Sequence, residues 1–232
     1  YNGFTTLFTQ FVYLRDQIIK QKDVYDFFHM KSKIQDGDVK LKSLKSPPSI
    51  EFRNVTFHYP NNERNVIRNL SFKIESGEKI AFVGANGAGK STIVKLICRV
   101  YDPQKGRILV NGIDLNKLTI NDWYKNVGVL LQDFNFYSFL NVQENIHIGK
   151  IKKKMNMKRI YESARNSDAE RFINKLPKRF KTVMSDRFFG GITPSKGQKQ
   201  KIAVARFFYR DAPLAIFDEP TSAIDADAEF RI

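Results

Sequence analysis

Eight consecutive residues carry the strongest chemical signal in the chain: Gly84-Ala85-Asn86-Gly87-Ala88-Gly89-Lys90-Ser91. They fit the pattern G-x-x-x-x-G-K-S/T. Glycines let a backbone turn successive N–H groups inward around phosphate oxygens. A helix opening at the end of such a loop adds the positive end of its dipole. Lys90 is the compact cation expected to reach the β- and γ-phosphates of a nucleotide. Ser91 offers a hydroxyl oxygen to Mg²⁺, a hard cation that prefers oxygen ligands. With Thr92 closing the run, the expected chemistry is capture of a nucleoside triphosphate together with magnesium.

A second signal is Leu214-Ala215-Ile216-Phe217-Asp218-Glu219, an apolar run ending in two carboxylates. It reads as a buried parallel strand whose C-terminal end faces a site. Asp218 would then support a magnesium shell, and Glu219 could orient or deprotonate an attacking water. Taken alone, the same residues fit a strand ending in a solvated acidic turn.

The elements that must position these groups follow from apolar spacing. Residues 80–83 (Ile-Ala-Phe-Val) form a short apolar run of the buried-strand kind leading into the loop. Ile93, Val94, Leu96 and Ile97 recur at helical spacing after it. Ile50, Phe52, Val55 and Phe57 predict a strand, followed by a turn at Pro60-Asn61-Asn62. A second apolar segment, 66–74, precedes the turn Ser76-Gly77-Glu78. Residues 34–48 are polar and Lys-rich and end in Ser46-Pro47-Pro48, a linker signature. Before them, Phe4, Leu7, Phe8, Phe11, Leu14, Ile18 and Ile19 have helical spacing, with no charge ahead of Arg15. This helix reads either as the end of a transmembrane helix continuing into solvent, which we favour, or as an amphipathic helix packed on the domain.

Bulk properties narrow the field. The chain has 232 residues, enough for one large domain with an appendage. It carries 39 Lys and Arg against 24 Asp and Glu, a formal charge of +15, which favours anionic partners or else reflects solvated lysines. A single cysteine, Cys98, excludes an intrachain disulfide and a cysteine-cluster metal site. Its apolar neighbours mark it as a small core residue. His29, His58 and His147 are too scattered for metal-ligand spacing. No run of about 18 apolar residues crosses a bilayer unaided, and no signal peptide or internal repeat is visible. The first residue is Tyr1 rather than Met, so we expect a fragment of a longer chain.

Residues 50–232 resemble the ATP-binding domain of ABC transporters, several motifs standing in that family's order. The resemblance implies an α/β fold: a P-loop NTPase (RecA-like) core, an antiparallel β subdomain and a helical signature subdomain, preceded by an N-terminal helix. It implies ATP and Mg²⁺ as cofactors. Tyr59 matches the aromatic that stacks on adenine; the alternative is a core or edge aromatic. Gln132 matches the glutamine that touches Mg²⁺ and senses the γ-phosphate. Ser222 and Asp225 match the D-loop, which contacts a partner subunit. The usual signature Leu-Ser-Gly-Gly-Gln is matched by Pro194-Ser195-Lys196-Gly197-Gln198, a segment that caps ATP held by the opposite subunit. Ser195 and the Gly197 N–H keep that chemistry, Gln198 is retained, and Lys196 in place of glycine is the departure. The family's histidine beyond the D-loop is missing before Ile232, so the fragment is expected to turn nucleotide over poorly.

The N-terminal segment favours the exporter type, in which membrane helices precede the ATPase on one polypeptide. Residues 1–33 then end the last transmembrane helix and extend it, 34–48 link, and 49–232 form the ATP-binding domain. Residues 106–114 resemble the strand and turn after the loop helix. Residues 141–146 resemble the segment that meets coupling helices, and 182–187 the exporter loop, with Asp186 where Glu is usual. The implied partners are the membrane-spanning domain of the same polypeptide, a second ABC ATP-binding domain, identical or different, and a substrate handled by the membrane part. The implied place is the cytoplasmic face of a membrane. Two alternatives stand: a regulatory subunit that senses nucleotide with weak hydrolysis, and a soluble importer ATPase. Nucleic acid is not expected as a partner because only one such domain is present. A GTPase is not expected because no Asn-Lys-x-Asp motif occurs.

Overall fold

The computed structural model describes residues 2–30, 32, 34–131 and 134–218. The chain divides into two compact units, Tyr1–Gln35 and Asp36–Ile232.

The first unit is a single helix, α1 (Asn2–Phe28). His29 continues it, its N–H donating to the Tyr25 carbonyl at 3.0 Å and its ring stacking on Tyr25. The large apolar side chains of α1, from Phe4 to Phe28, are exposed. Among the described residues, no helix is long and apolar enough to cross a membrane.

The second unit opens with residues that the composition marks as a linker, yet the segment is docked. Val39 N–H donates to the Lys117 carbonyl and the Val39 carbonyl accepts from Thr119 N–H, at 2.8 and 2.9 Å. Val39 and Leu41 pack on the core. A Cβ on Gly37 would stand 2.1 Å from the Lys117 carbonyl oxygen, so the approach requires glycine.

The strands β1 (Ile50–Phe57), β2 (Ile67–Ile74), β3 (Lys105–Val110) and β4 (Ile113–Asp114) form an antiparallel sheet in the order β2-β1-β3-β4. Alternation along β1 buries Ile50, Phe52, Val55 and Phe57 on one face, as the period of two requires. Gly106 lies beside an irregularity of the β1–β3 ladder. Its φ is +79°, and a Cβ there would meet the Arg53 carbonyl oxygen at 2.4 Å.

Helix α2 (Lys90–Ile97) turns Ile93, Val94, Leu96 and Ile97 onto this sheet. Its last turn is tied to α3 (Ile120–Asn126), because the buried indole of Trp123 donates to the Ile97 carbonyl at 2.9 Å. That satisfies one of the carbonyls a helix end leaves open. β5 (Val127–Leu130) and β6 (Leu214–Phe217) pair in parallel, Val127 opposite Leu214 and Leu130 opposite Phe217. Four further helices, α4 (Val142–His147), α5 (Met157–Asn166), α6 (Glu170–Ile173) and α7 (Lys196–Arg210), enclose a second core around Ile146, Ile160, Ile173 and Ile202.

One expectation fails. Residues 80–83 are not a strand: they are irregular, and Val83 is 93 % exposed. A buried strand needs ladder partners and covered faces. Among the described residues the parallel sheet holds β5 and β6 alone, and neither pairs with this run.

Candidate functional site

The glycine loop is shaped by two left-handed residues, Gly87 at φ +80° and Gly89 at φ +95°. Gly89 is the N-cap of α2 and its carbonyl accepts from Ile93 N–H at 3.0 Å. No side chain caps this end, so the first-turn N–H groups of α2 are left for an anion. Gly84, Ala85, Asn86, Gly87 and Ala88 are exposed. The Lys90 ammonium folds back across the loop, donating to the Gly84 carbonyl at 2.7 Å and the Ala85 carbonyl at 3.0 Å. A phosphate oxygen is the stronger acceptor for that cation.

Ser91, next on α2, reaches across 127 positions of sequence: its hydroxyl donates to Asp218 Oδ1 at 3.2 Å. Asp218 is set there by the ladder, since its N–H continues the β5–β6 pairing to the Leu130 carbonyl at 2.9 Å. Two of the three predicted magnesium ligands, Ser91 and Asp218, are thus adjacent, and a hydroxyl beside a carboxylate is a donor set of hard oxygens. Among the described residues, no cluster of three His, Cys, Asp or Glu could hold a metal. Magnesium takes one or two protein oxygens and completes its shell with water and phosphate.

Tyr59 follows β1 and is half-buried. Its ring meets Phe57 and Tyr101 edge-on, at centroid distances of 5.1 and 5.4 Å. Its hydroxyl lies 3.0 Å from Thr92 Oγ1, so the Thr92 hydroxyl is turned toward Tyr59.

The signature stretch opens α7. Ser195 is its N-cap and forms a reciprocal box with Gln198: Gln198 N–H donates to Ser195 Oγ at 3.3 Å, and Ser195 N–H to Gln198 Oε1 at 3.0 Å. The Ser195 hydroxyl accepts in this box, which leaves its own proton free to be donated. Pro194 is buried behind it, Lys196 is exposed at the first helical position, and Gly197 follows half-buried. The hydrogen bonds of Ser195 stay within this cap, whereas Lys90, Ser91, Thr92, Asp218 and Tyr59 are gathered around the start of α2. Gln132, Glu219, Ser222 and Asp225 lie outside the described residues.

Sequence reasoning did not find what holds α7. The guanidinium of Arg206 donates to the Asn145 carbonyl at 2.8 Å, to Asn145 Oδ1 at 3.2 Å and to the Asn135 carbonyl at 2.6 Å. Asn145, fully buried, donates to the carbonyls of Tyr137, Leu140 and Asn141. One turn on, Arg210 donates to the carbonyls of Val127 at 2.8 Å, Gly149 at 3.0 Å and Tyr124. Burial holds both guanidinium groups below the usual arginine range. The signal available was two arginines four apart on a helix of otherwise apolar inner face, which does not reveal the carbonyls they seek.

Comparison with known proteins identifies the family. The family model for the ABC transporter matches residues 67–222. The putative multidrug export ATP-binding/permease protein YgaD of Bacillus subtilis is 35 % identical over 232 residues, all of this chain and 39 % of that protein. The mitochondrial iron-sulfur clusters transporter ATM1 of Candida glabrata is 37 % identical over 207 residues, covering 85 % of this chain and 27 % of that protein. Among solved structures, a bacterial Atm1-family ABC exporter with ATP bound superposes with a TM-score of 0.81 at 30 % identity, over 94 % of this chain and 37 % of that one. The fold and the loop define a P-loop nucleotide-binding protein. The chain belongs to the ABC transporter family, and it spans about two fifths or less of the length of these relatives.

Proposed function

We propose that this chain is the ATP-binding and ATP-hydrolysing domain of an ABC exporter, working at the cytoplasmic face of a membrane. The observation that supports it most is one cluster: uncapped N–H groups at the start of α2, the Lys90 ammonium across the loop, and Ser91 beside Asp218 at 3.2 Å. That set offers donors for a triphosphate and oxygens for its cation. The relatives named above are, by their names, an export ATP-binding/permease protein and transporters, and the same role is inferred here.

In this reading, Lys90 and the loop amides hold the β- and γ-phosphates, and Tyr59 stacks on the base. Ser91 and Asp218, with Gln132 as a third ligand, would hold magnesium, which would supply charge neutralisation at the phosphates. Glu219 orients the water. Its oxygen bonds to the γ-phosphorus in line, the bond to the β–γ bridging oxygen breaks, ADP departs, and a water proton passes to the Glu219 carboxylate. Ser195, Gly197 and Gln198 cap nucleotide held by a second ATP-binding domain, with Ser222 and Asp225 meeting that partner. Residues 1–33 join a membrane-spanning part.

Titration calorimetry with Mg-ATP tests the nucleotide site. Binding heat that Lys90→Ala abolishes or weakens at least tenfold supports it; equal affinity in both proteins refutes it. Glu219→Gln should preserve binding and stop ADP formation.

A second reading concerns Lys196, exposed at the first helical position where the family has glycine. A side chain there can obstruct close backbone approach. On this reading the half-site made by this signature is weak, and the partner domain carries a regular one. Unchanged ATPase activity of the intact transporter on Lys196→Gly would count against it.

A further inference from the structure

Tyr59 comes from the antiparallel sheet, but its hydroxyl is held by the helix that follows the phosphate loop. The phenol oxygen lies 3.0 Å from Thr92 Oγ1 and 3.4 Å from Lys95 Nζ. Thr92 and Lys95 are three residues apart, so both stand on one face of α2. The Lys95 ammonium is 5.2 Å from the ring centroid, farther than from the hydroxyl, so it sits toward the hydroxyl end of the ring. Phe57 and Tyr101 each stand nearly perpendicular to the ring, at centroid distances of 5.1 and 5.4 Å, so it is held at its tip by α2 and packed by two aromatics.

Thr92 and Lys95 contribute differently. Thr92 is buried, and a buried hydroxyl needs a partner whatever the protein does. Lys95 is exposed and could extend into water at no cost. Its ammonium is instead directed at the phenol oxygen of Tyr59, where an exposed cation gains little stability for the free fold but restricts how the ring tilts. Stacking of a purine depends on that tilt, because one fixed aromatic face must meet the base.

We propose that Lys95 is a positioning residue for the nucleotide base. Through the Tyr59 hydroxyl, and together with Thr92, it holds the ring at the angle on which a purine stacks. Base recognition is thereby suspended from the same helix whose N-terminus receives the phosphates. This inference rests on the nucleotide-site reading above and deepens it.

The test separates base from phosphate by using two ligands, Mg-ATP and Mg-tripolyphosphate, in calorimetric titrations of the whole chain. Lys95→Ala should weaken Mg-ATP about two- to fivefold, the size of an exposed cation–aromatic contact, and leave Mg-tripolyphosphate unchanged. Lys95→Arg should restore Mg-ATP affinity. Tyr59→Phe keeps the ring and removes the hydroxyl; it should cost a similar factor, and adding Lys95→Ala to it should cost nothing more. Equal loss for both ligands overturns the proposal, since Lys95 would then act on the phosphates or on α2 itself. So does an unchanged Mg-ATP affinity, or a further loss in the double variant. If Lys90→Ala leaves both ligands unaffected, the nucleotide site fails instead. Thermal melts matching the parent exclude misfolding, as the exposure of Lys95 leads us to expect.

Discussion

Replacing Arg206 by alanine should destabilise the second unit more than any other single exposed-to-half-buried substitution in α7. The guanidinium makes three hydrogen bonds, to the Asn145 carbonyl, Asn145 Oδ1 and the Asn135 carbonyl. Hydrogen bonds to a charged group are worth about 1.5–3 kcal/mol each net. They are not additive here, because two of them share Asn145. Removal also takes a donor from the buried Asn145 carbonyl and from its Oδ1, at about 1–3 kcal/mol. Together these give a loss of about 3–5 kcal/mol. For a unit of this size that lowers the melting temperature by on the order of 10 °C. Arg206→Lys keeps the charge but can satisfy only part of the fork, so its loss should be about half as large. Urea unfolding followed by the single Trp123 measures both, and hydrogen exchange should rise first in residues 134–145. An Arg206→Ala loss below about 1 kcal/mol would refute the claim that these bonds carry the junction.

Three further outcomes follow from the geometry. Ser91→Ala and Asp218→Asn should each weaken ATP binding in the presence of magnesium while changing binding in EDTA little; equal losses in both conditions would remove these residues from the metal site. Gly106→Ala places a Cβ 2.4 Å from the Arg53 carbonyl oxygen at a φ of +79°, and should cost about 2–4 kcal/mol in denaturant unfolding. Burial pushes the Cys98 thiol up from 9.0 to about 11. A raised acid binds its proton more tightly when folded, so this contribution is intact below pH 9 and is lost as pH rises toward about 11. Alkylation of native Cys98 at pH 8 should therefore be slower than that of the thiol in the unfolded chain, and Cys98→Ala should flatten the alkaline fall in stability.

What was legible in the sequence is what local chemistry dictates. The loop reads directly because its glycines, Lys90 and Ser91 act within one turn of chain. β1 and α2 read from period, β2 shows as an apolar segment, and the strand and turn of 106–114 were legible only through the resemblance. Residues 80–83 misled because an apolar run announces burial without naming its neighbour; strand pairing is a property of the chain's distant parts. The docking of 36–48 was hidden for the opposite reason. Its composition is polar, and the bonds that fix it run through the backbone of Val39 and through Asp36, whose Oδ1 accepts from the Ile120 N–H at 2.6 Å. The junction at Arg206 and Asn145 is likewise made with carbonyls, and carbonyls leave no mark on composition.

These bonds matter for how an event at Ser195 would be felt elsewhere. α7 runs from Lys196 to Arg210, about 22 Å at helical rise, and its first turn is closed by the Ser195–Gln198 box. Its other end is fixed by Arg210 to Val127, the first residue of β5, and β5 ends beside Asp218. Between them, Arg206 grips Asn135, three residues after Gln132. A rigid helix held at one end and midway cannot shift at its free end without loading those two grips. Force applied at the signature stretch is therefore delivered to β5, whose Leu130 carbonyl holds the Asp218 N–H, and to the segment that begins near Asn135. In Arg206→Ala the grip on Asn135 is gone while Arg210 still anchors the helix. Residues 134–140 should then gain more in amide exchange rate than β5, whose exchange rises only with the loss of global stability.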